Sequence, residues 1–300
     1  MQMNFSEVLP EPINAAGVKA SFINEKYGLH ERNVFDLWLA KSEKPTPLVV
    51  YIHGGGFTEG DKSRYYLSED MVRFLNAGVS VALINYRFMN QPPYGILGSM
   101  NDSKRCIQYL RFHAEKFNID KNRIACTGGS AGAGTALWLA FSDDMADPQN
   151  SDPVLRESTR LTCAGAFATQ STYDIFQWDE ILGIPLSKQS ETIHLIARAF
   201  GFKSAENIDL RNEKVIRQNL DFLAKMNRTS PPVFIYNKHR AGIPENQDDI
   251  NHHPLHAKAL MKKAKEVGIE AIVYAPEIGI LNESGIDLVD FFLDKFGISS

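Results

Sequence analysis

The chain has 300 residues, of which 44% are hydrophobic and 23% are charged, and its formal net charge is −4. Because charges of both signs are interspersed, the sequence gives no reason to expect nucleic acid or an acidic membrane surface as a partner. No apolar run approaches the ~20 residues that a membrane span requires. The length suits one large domain over residues 1–300 better than two independent domains.

The sequence contains little information about the compartment of the protein or about a cofactor. Residues 1–6 contain no basic region followed by an apolar stretch, so no signal peptide is predicted. We therefore expect a cytoplasmic protein, or a secreted one whose signal has been removed. Cys106, Cys126 and Cys163 form neither a disulfide framework nor a metal-binding spacing, and we interpret them as buried small hydrophobic residues. No metal site is predicted.

Predicted strands and helices alternate along the first half of the chain, which favours a mostly parallel sheet with helices on both faces. In chain order the predicted elements are strands at 33–40 and 47–52, a helix from Ser68 to about Gly78, a strand at 79–85, a helix at 102–117, a strand at 124–127, a helix at 131–141 and a strand at 164–169.

The second half departs from this alternation. Residues 175–228 are helical without a strand signal, and this length is too great for a simple crossover, so a helical cap is predicted there. The remaining elements are a strand at 232–236, a polar loop at 237–253, a helix at 254–267, a strand at 271–275 and a helix at 284–296.

Gly128-Gly129-Ser130-Ala131-Gly132 fits the pattern G-x-S-x-G between a predicted strand and a predicted helix. A serine hydroxyl is a weak nucleophile, and it must be exposed on a sharp strand-to-helix turn to attack a carbonyl carbon. The small residues on either side allow that turn. The motif indicates Ser130 as a nucleophile, and a glycine-rich turn that only packs closely or binds an anion is the alternative.

His53-Gly54-Gly55-Gly56 follows the apolar run at 48–52 and indicates a second part of the same site. Negative charge grows on a carbonyl oxygen under attack, and one well-aimed backbone N–H contributes ~2.7–4 kcal/mol to its stabilisation. Glycine lets the backbone approach that oxygen closely. The predicted donors of this oxyanion hole are the N–H groups of Gly55, Gly56 and Ala131, while His53 supports the loop.

On these residues the chain resembles the hormone-sensitive-lipase-like branch of the α/β-hydrolases. His53-Gly54-Gly55-Gly56-Phe57, Asn85-Tyr86-Arg87, the helix beginning at Asp102 and the motif at 128–132 carry the resemblance, which is specific from about residue 33 to 141. It implies an α/β-hydrolase fold with an eight-stranded sheet and a helical cap, and hydrolysis of short or medium acyl esters without a cofactor. It also implies that Asn85-Tyr86-Arg87 is structural and that Asp102 caps a helix.

The catalytic acid is expected after the strand at 232–236, because this fold places the triad in the order serine, acid, histidine. Asp248 and Asp249 lie in that loop. The resemblance favours Asp249, since the family often has an aspartate shortly before the helix that follows. A solvated acidic loop is the alternative.

The catalytic base is missing from its expected place. All eight histidines lie at or before position 256, whereas the family has a histidine near 279–281. His252 or His253 could reach Ser130 from the neighbouring loop, because loops at the carboxyl ends of adjacent strands share one crevice. Helix capping and loop packing are the alternative for this pair. Glu277 is a second candidate base if burial raises its pKa, and the third possibility is that nothing replaces the base.

The sequence therefore predicts a serine-dependent carboxylesterase or lipase-like hydrolase with an atypical or incomplete triad and a small-molecule ester as its partner. If the protein is active, one of His252 and His253 is expected within hydrogen-bond reach of Ser130. The alternative is an inactive relative that binds a small ligand in the retained cleft. A homo-oligomer in which a second chain supplies the histidine is a further alternative.

Overall fold

The computed structural model describes residues 10–184, 190–202 and 210–298, and an eight-stranded sheet forms its centre. The strands are β1 (Phe22–Lys26), β2 (Val34–Trp38), β3 (Thr46–Ile52), β4 (Ser80–Ile84), β5 (Ile119–Gly129), β6 (Ala164–Phe167), β7 (Val233–Tyr236) and β8 (Ala271–Tyr274).

Across the sheet the strands lie in the order β1-β2-β4-β3-β5-β6-β7-β8. The neighbouring pairs β4-β3, β3-β5, β5-β6, β6-β7 and β7-β8 are parallel, whereas β1-β2 and β2-β4 are antiparallel. The predicted mostly parallel sheet is thus confirmed. The loops that follow β3, β5 and β7 leave the sheet at the same edge, because the carboxyl ends of parallel strands lie together.

Helices connect the strands and cover both faces of the sheet. They are α1 (Glu69–Asn76), α2 (Ile96–Phe112), α3 (Ala131–Phe141), α4 (Trp178–Leu182), α5 (Ser190–Phe200), α6 (Leu210–Leu220), α7 (Phe222–Lys225), α8 (Gln247–Asn251), α9 (Leu255–Val267) and α10 (Leu288–Lys295).

The fully buried central strand β3 divides its side chains between two hydrophobic clusters, one on each face of the sheet. Val50 packs in the cluster that contains Ile107 of α2 and Leu260 of α9. Val49 packs in the cluster that contains Phe292 of α10. Successive side chains of a strand point to opposite faces, so a continuous apolar run requires cover on both sides.

Strand β5 begins at Ile119 rather than at 124, and four further elements differ from the prediction. The edge strand β1 is not predicted, because most of its residues are exposed and leave no apolar alternation. Helix α2 begins at Ile96, so Asp102 lies inside it and does not cap it. The Asp102 carboxylate instead pairs with Arg87 at 2.8 Å and accepts a hydrogen bond from Asn33 at 2.7 Å. Helix α10 begins at Leu288 rather than at 284.

The fourth difference lies in the predicted polar loop at 237–253, which contains the short helix α8. Asn246 caps this helix by accepting a hydrogen bond from the Asp249 N–H at 3.0 Å. A five-residue helix with one apolar residue has too little periodicity to be recognised in a sequence.

The described parts of the segment between β6 and β7 contain the helices α4 to α7. Residues 185–189 and 203–209 of the predicted cap lie outside the described residues, and the cap itself stays a prediction. In the described part of the chain, no helix is long and apolar enough to cross a membrane. Cys106, Cys126 and Cys163 are buried free thiols, as predicted.

Candidate active site

Ser130 stands on a sharp turn between β5 and α3. Its backbone angles are φ 52° and ψ −117°, a conformation that costs a non-glycine residue roughly 1–3 kcal/mol. The turn passes so close to β3 that a Cβ added at Gly128 or Gly132 would lie 2.2 Å or 1.9 Å from the carbonyl oxygen of Ile52. Both positions therefore require glycine for steric reasons, and a backbone hydrogen bond from Ser130 to Phe167 (2.9 Å) also holds the turn.

The triple-glycine loop after β3 lies against this turn. Gly55 and Gly56 have positive φ angles of 110° and 57°. A Cβ added at Gly54 would lie 2.7 Å from the Gly129 carbonyl oxygen, and one added at Gly55 would lie 2.2 Å from the Glu59 carbonyl oxygen. The lack of a side chain at Gly54 lets the loop approach the serine turn, and the lack of one at Gly55 lets the loop fold back on itself. This places the predicted oxyanion loop directly beside the predicted nucleophile.

His53 is fully buried and supports the loop from behind. Its Nδ1 lies 2.7 Å from the Gly54 carbonyl oxygen, its Nε2 lies 3.3 Å from an Arg32 guanidinium nitrogen, and its ring stacks on Tyr86 at 4.3 Å. Burial lowers the pKa of His53 to about 4, so the ring is neutral near pH 7. With Nδ1 donating and Nε2 accepting, both ring nitrogens are occupied, which fits the predicted supporting role.

His252, at the end of α8, contacts Ser130. Its Nε2 lies 2.8 Å from the Ser130 Oγ, and its Nδ1 lies 2.9 Å from the Oδ1 of Asp248. A carboxylate can only accept a hydrogen bond, so Nδ1 carries the ring proton and Nε2 is free to accept the hydroxyl proton. Ser130, His252 and Asp248 thus form a continuous hydrogen-bonded chain with the polarity of a serine hydrolase triad.

Three side chains hold the backbone at residues 250–252 in place by donating hydrogen bonds to three successive carbonyl oxygens. His256 donates to Ile250 (3.1 Å), Gln170 to Asn251 (2.8 Å) and Asn237 to His252 (2.9 Å). His256 is itself fully buried, and burial lowers its pKa to about 3. The backbone that carries the His252 ring is therefore held by three buried side chains.

Burial also determines the protonation state of His252. Loss of solvent lowers its pKa from the ordinary 6.5, and the nearby Asp248 carboxylate opposes this effect in part. The imidazole is therefore neutral near pH 7, which is the form that can accept a proton from serine.

Of the two predicted acids, Asp248 contacts His252, whereas Asp249, which the resemblance favours, turns away. Among the described residues, no hydrogen bond joins Asp249 to His252. Asp249 instead pairs with Arg240 through a bond of 2.9 Å and a second, shorter one, and accepts from the Glu245 N–H at 2.8 Å. The Arg240 hydrogen bond holds the pKa of Asp249 well below its usual range. The signal in the sequence that favoured Asp248 was its spacing of four residues from His252, since residues four apart share one face of a helix.

The other candidates for the base lie elsewhere. The Nε2 of His253 is 3.0 Å from the Gly242 carbonyl oxygen, and its Nδ1 accepts from the Leu255 N–H at 3.2 Å, which is the capping and packing role given as the alternative. Glu277 is exposed in a short turn after β8. His252 therefore reaches Ser130 from the loop after β7, where the resemblance placed the acid alone.

Comparison with known families supports an esterase. The BD-FAE family model matches residues 35–240. Gut esterase 1 of Caenorhabditis elegans is 28% identical over 152 residues, which are 48% of this chain and 26% of that protein. An esterase of Gibberella moniliformis is 28% identical over 130 residues, which are 43% of this chain and 39% of that protein. The matched part thus spans about a quarter to two fifths of the length of these relatives.

Solved structures show a similar fold over nearly the whole chain. An acetyl ester-xyloside bifunctional hydrolase from Caldicellulosiruptor lactoaceticus has a TM-score of 0.63 and 20% identity, covering 98% of this chain and 100% of that one. An esterase from Thermogutta terrifontis has a TM-score of 0.61 and 16% identity, covering 92% of each chain. At these identities the likeness shows the fold alone, and it confirms the predicted α/β-hydrolase fold.

Proposed function

Because the chain belongs to the BD-FAE family of α/β-hydrolase esterases, we propose that it hydrolyses carboxylic esters with Ser130 as the nucleophile. The observation that carries the proposal is the 2.8 Å contact between the Ser130 Oγ and the His252 Nε2. This contact supports His252 as the base that is missing after β8, and the Asp248 carboxylate behind His252 as the acid.

The first half of the proposed reaction forms an acyl-enzyme. His252 takes the hydroxyl proton as Ser130 Oγ attacks the ester carbonyl carbon, and Asp248 holds the resulting imidazolium by its Nδ1 proton. The oxygen that becomes negative lies between the N–H groups of Gly55, Gly56 and Ala131. Ala131 is the first residue of α3, so its N–H has no partner within the helix. His252 then gives its proton to the departing alcohol.

The second half returns the enzyme to its starting state. His252 removes a proton from water, which attacks the acyl carbonyl, and the carboxylic acid leaves as Ser130 recovers its proton. No cofactor takes part in the proposed scheme. We propose short or medium acyl esters as substrates, and the helices between β6 and β7 as a cap that lines the acyl pocket.

The exposure of Asp248 distinguishes this site from a deeply buried triad. The Asp248 side chain is 68% exposed, whereas that of His252 is 16% exposed. Water screens an exposed carboxylate, so Asp248 stabilises the imidazolium less than a buried acid does. We therefore propose an enzyme whose rate depends more on His252 and the oxyanion hole than on its acid.

Fluorophosphonate labelling tests the proposal against the alternative of an inactive relative. An activated serine reacts quickly with this probe, so we expect labelling of the native protein and none of Ser130→Ala. His252→Ala should abolish rapid labelling and lower p-nitrophenyl acetate hydrolysis by about 10⁴–10⁶. His253→Ala is the matched control, and it should keep most of both signals. Slow labelling of the folded native protein, or equal labelling of both histidine variants, would refute the proposed triad.

A further inference from the structure

A second set of contacts involves His252, on the side of its ring that faces away from Ser130. One potential metal-binding atom from each of His239, Asp248 and His252 lies within 4.8 Å of the other two. The Asp248 carboxylate stands between the rings: its Oδ1 is 2.9 Å from the His252 Nδ1, and its Oδ2 is 3.9 Å from the His239 Nε2. The ring centroids of the two histidines are 5.6 Å apart.

We propose that these three side chains bind a divalent transition-metal ion such as Zn²⁺, and that the bound ion switches the esterase site off. Two imidazole nitrogens and one carboxylate oxygen form a ligand set that suits Zn²⁺ and leaves a fourth position for water. The switching part rests on the proposed function, whereas the binding part does not.

The distances are close to those a metal requires. Zinc bonds of ~2.0–2.2 Å in a tetrahedral arrangement set neighbouring ligand atoms about 3.3–3.6 Å apart. The two Asp248 oxygens lie 2.9 Å (Oδ1 to the His252 Nδ1) and 3.9 Å (Oδ2 to the His239 Nε2) from the ring nitrogens, on either side of this range. One ligand atom from each of the three residues lies within 4.8 Å of the other two. Asp248 is 68% exposed, so its side chain can rotate to close the site and an ion can enter from solvent.

The charge around the cluster also favours a cation. Arg240, which follows His239 in the chain, is engaged by Asp249 and by Glu245 at 2.9 Å. The Asp248 charge is therefore available to the ion. Asp249, whose carboxylate compensates the charge of Arg240, also lies next to the ligands, with its Oδ1 3.2 Å from the His239 Nε2.

Metal binding at the His252 Nδ1 reverses the direction of its hydrogen bond to serine. The ion takes the Nδ1 lone pair, so the proton now on Nδ1 moves to Nε2 and the ring stays neutral. In the same way, the proton that the His239 Nε2 donates to the Asp249 carboxylate moves to Nδ1, so that Nε2 can bind the ion. An Nε2 that carries a proton cannot accept the Ser130 hydroxyl proton, so serine loses its base.

The test measures zinc binding and esterase activity separately. Isothermal titration of the native protein and of Ser130→Ala should give one zinc site in each, because the serine is not a ligand. Chelator-buffered Zn²⁺ should inhibit p-nitrophenyl acetate hydrolysis and fluorophosphonate labelling by the native protein, and EDTA should restore both.

His239→Gln is the decisive variant, because it removes a metal ligand that takes no part in the proposed triad. It should keep its activity without metal, while its zinc affinity and its sensitivity to zinc fall by about tenfold or more. His194→Gln, at an exposed histidine of α5, is the matched control and should behave as the native protein. Unchanged zinc affinity in His239→Gln, or no zinc site in the native protein, would overturn the proposal. A zinc site that depends on His239 in a protein without esterase activity would overturn only the proposed function.

Discussion

Replacing Asp248 by alanine tests how much an exposed acid contributes to this triad. The change removes the carboxylate behind the His252 Nδ1 and leaves the contact between His252 and Ser130 in place. Alanine is preferred to asparagine because an asparagine amide can donate to Nδ1 and hold the ring in the wrong tautomer.

The size of the effect follows from the distance and the exposure. Two unit charges 2.9 Å apart attract by about 1.4 kcal/mol at the dielectric constant of water and by about 6 kcal/mol at an effective value of ~20. The 68% exposure of Asp248 places the pair near the lower value. We therefore expect kcat to fall by about 10- to 100-fold, compared with ~3 × 10⁴-fold when the acid of a serine protease triad is removed.

The pH dependence of kcat/KM provides a second, independent signal. The reaction requires neutral His252, so activity falls as the pH drops through the pKa of this group, which lies below 6.5 in the native protein. Asp248 raises that pKa by stabilising the imidazolium. Its removal should therefore shift the acidic limb of the profile to lower pH, while the alkaline plateau decreases.

Asp249→Asn is the matched control for this prediction. It weakens the ion pair with Arg240, so it should lower the thermal stability but leave the acidic limb of the profile where it is. If Asp249→Asn shifted the limb while Asp248→Ala did not, Asp248 could not be the acid. If kcat of folded Asp248→Ala fell by ~10⁴ or more, the argument from solvent screening would be refuted.

Two further predictions concern the stability of the fold around the site. Gly132→Ala places a methyl group 1.9 Å from the Ile52 carbonyl oxygen, so the free energy of unfolding measured in urea should fall by at least about 1–3 kcal/mol. An unchanged urea midpoint would contradict the steric argument. Burial keeps His256 neutral down to a pKa of about 3, so below its unfolded pKa of 6.5 the unfolded state binds more protons than the folded one. Because of this group, the free energy of unfolding should therefore fall by up to about 1.4 kcal/mol per pH unit from pH 6.5 towards 3. Denaturation curves at pH 5 and pH 7 should show a smaller difference in the free energy of unfolding for His256→Gln than for the native protein.

The parts of the site that were predictable are those built from consecutive residues. Glycines on both sides of Ser130 are required by the carbonyl of Ile52, and the glycines after His53 are required by the turn they make. The glycines that meet these demands lie within four or five consecutive residues, so they form a recognisable motif even though the Ile52 carbonyl belongs to another strand. The parallel strands were predictable for a similar reason, since burial on both faces gives β3 a continuous apolar run.

The pairing of His252 with Asp248 was open in the sequence, because α8 is too short and too polar to be recognised. The spacing of four residues has meaning only once the helix is known. Asp249 matched the resemblance better, yet the helix turns it by about 100° from Asp248 and towards Arg240.

The amino-acid sequence alone was sufficient for the fold class, the serine turn and the glycine loop, because each of them requires particular residue types at neighbouring positions of the chain. Only the tertiary structure decided which histidine and which aspartate stand behind Ser130. That choice depends on Gln170 and Asn237, which fix the carbonyls at the end of α8, and Gln170 lies 81 residues away in the chain from its partner. Contacts over such separations are made by packing, and no pattern along the sequence records them.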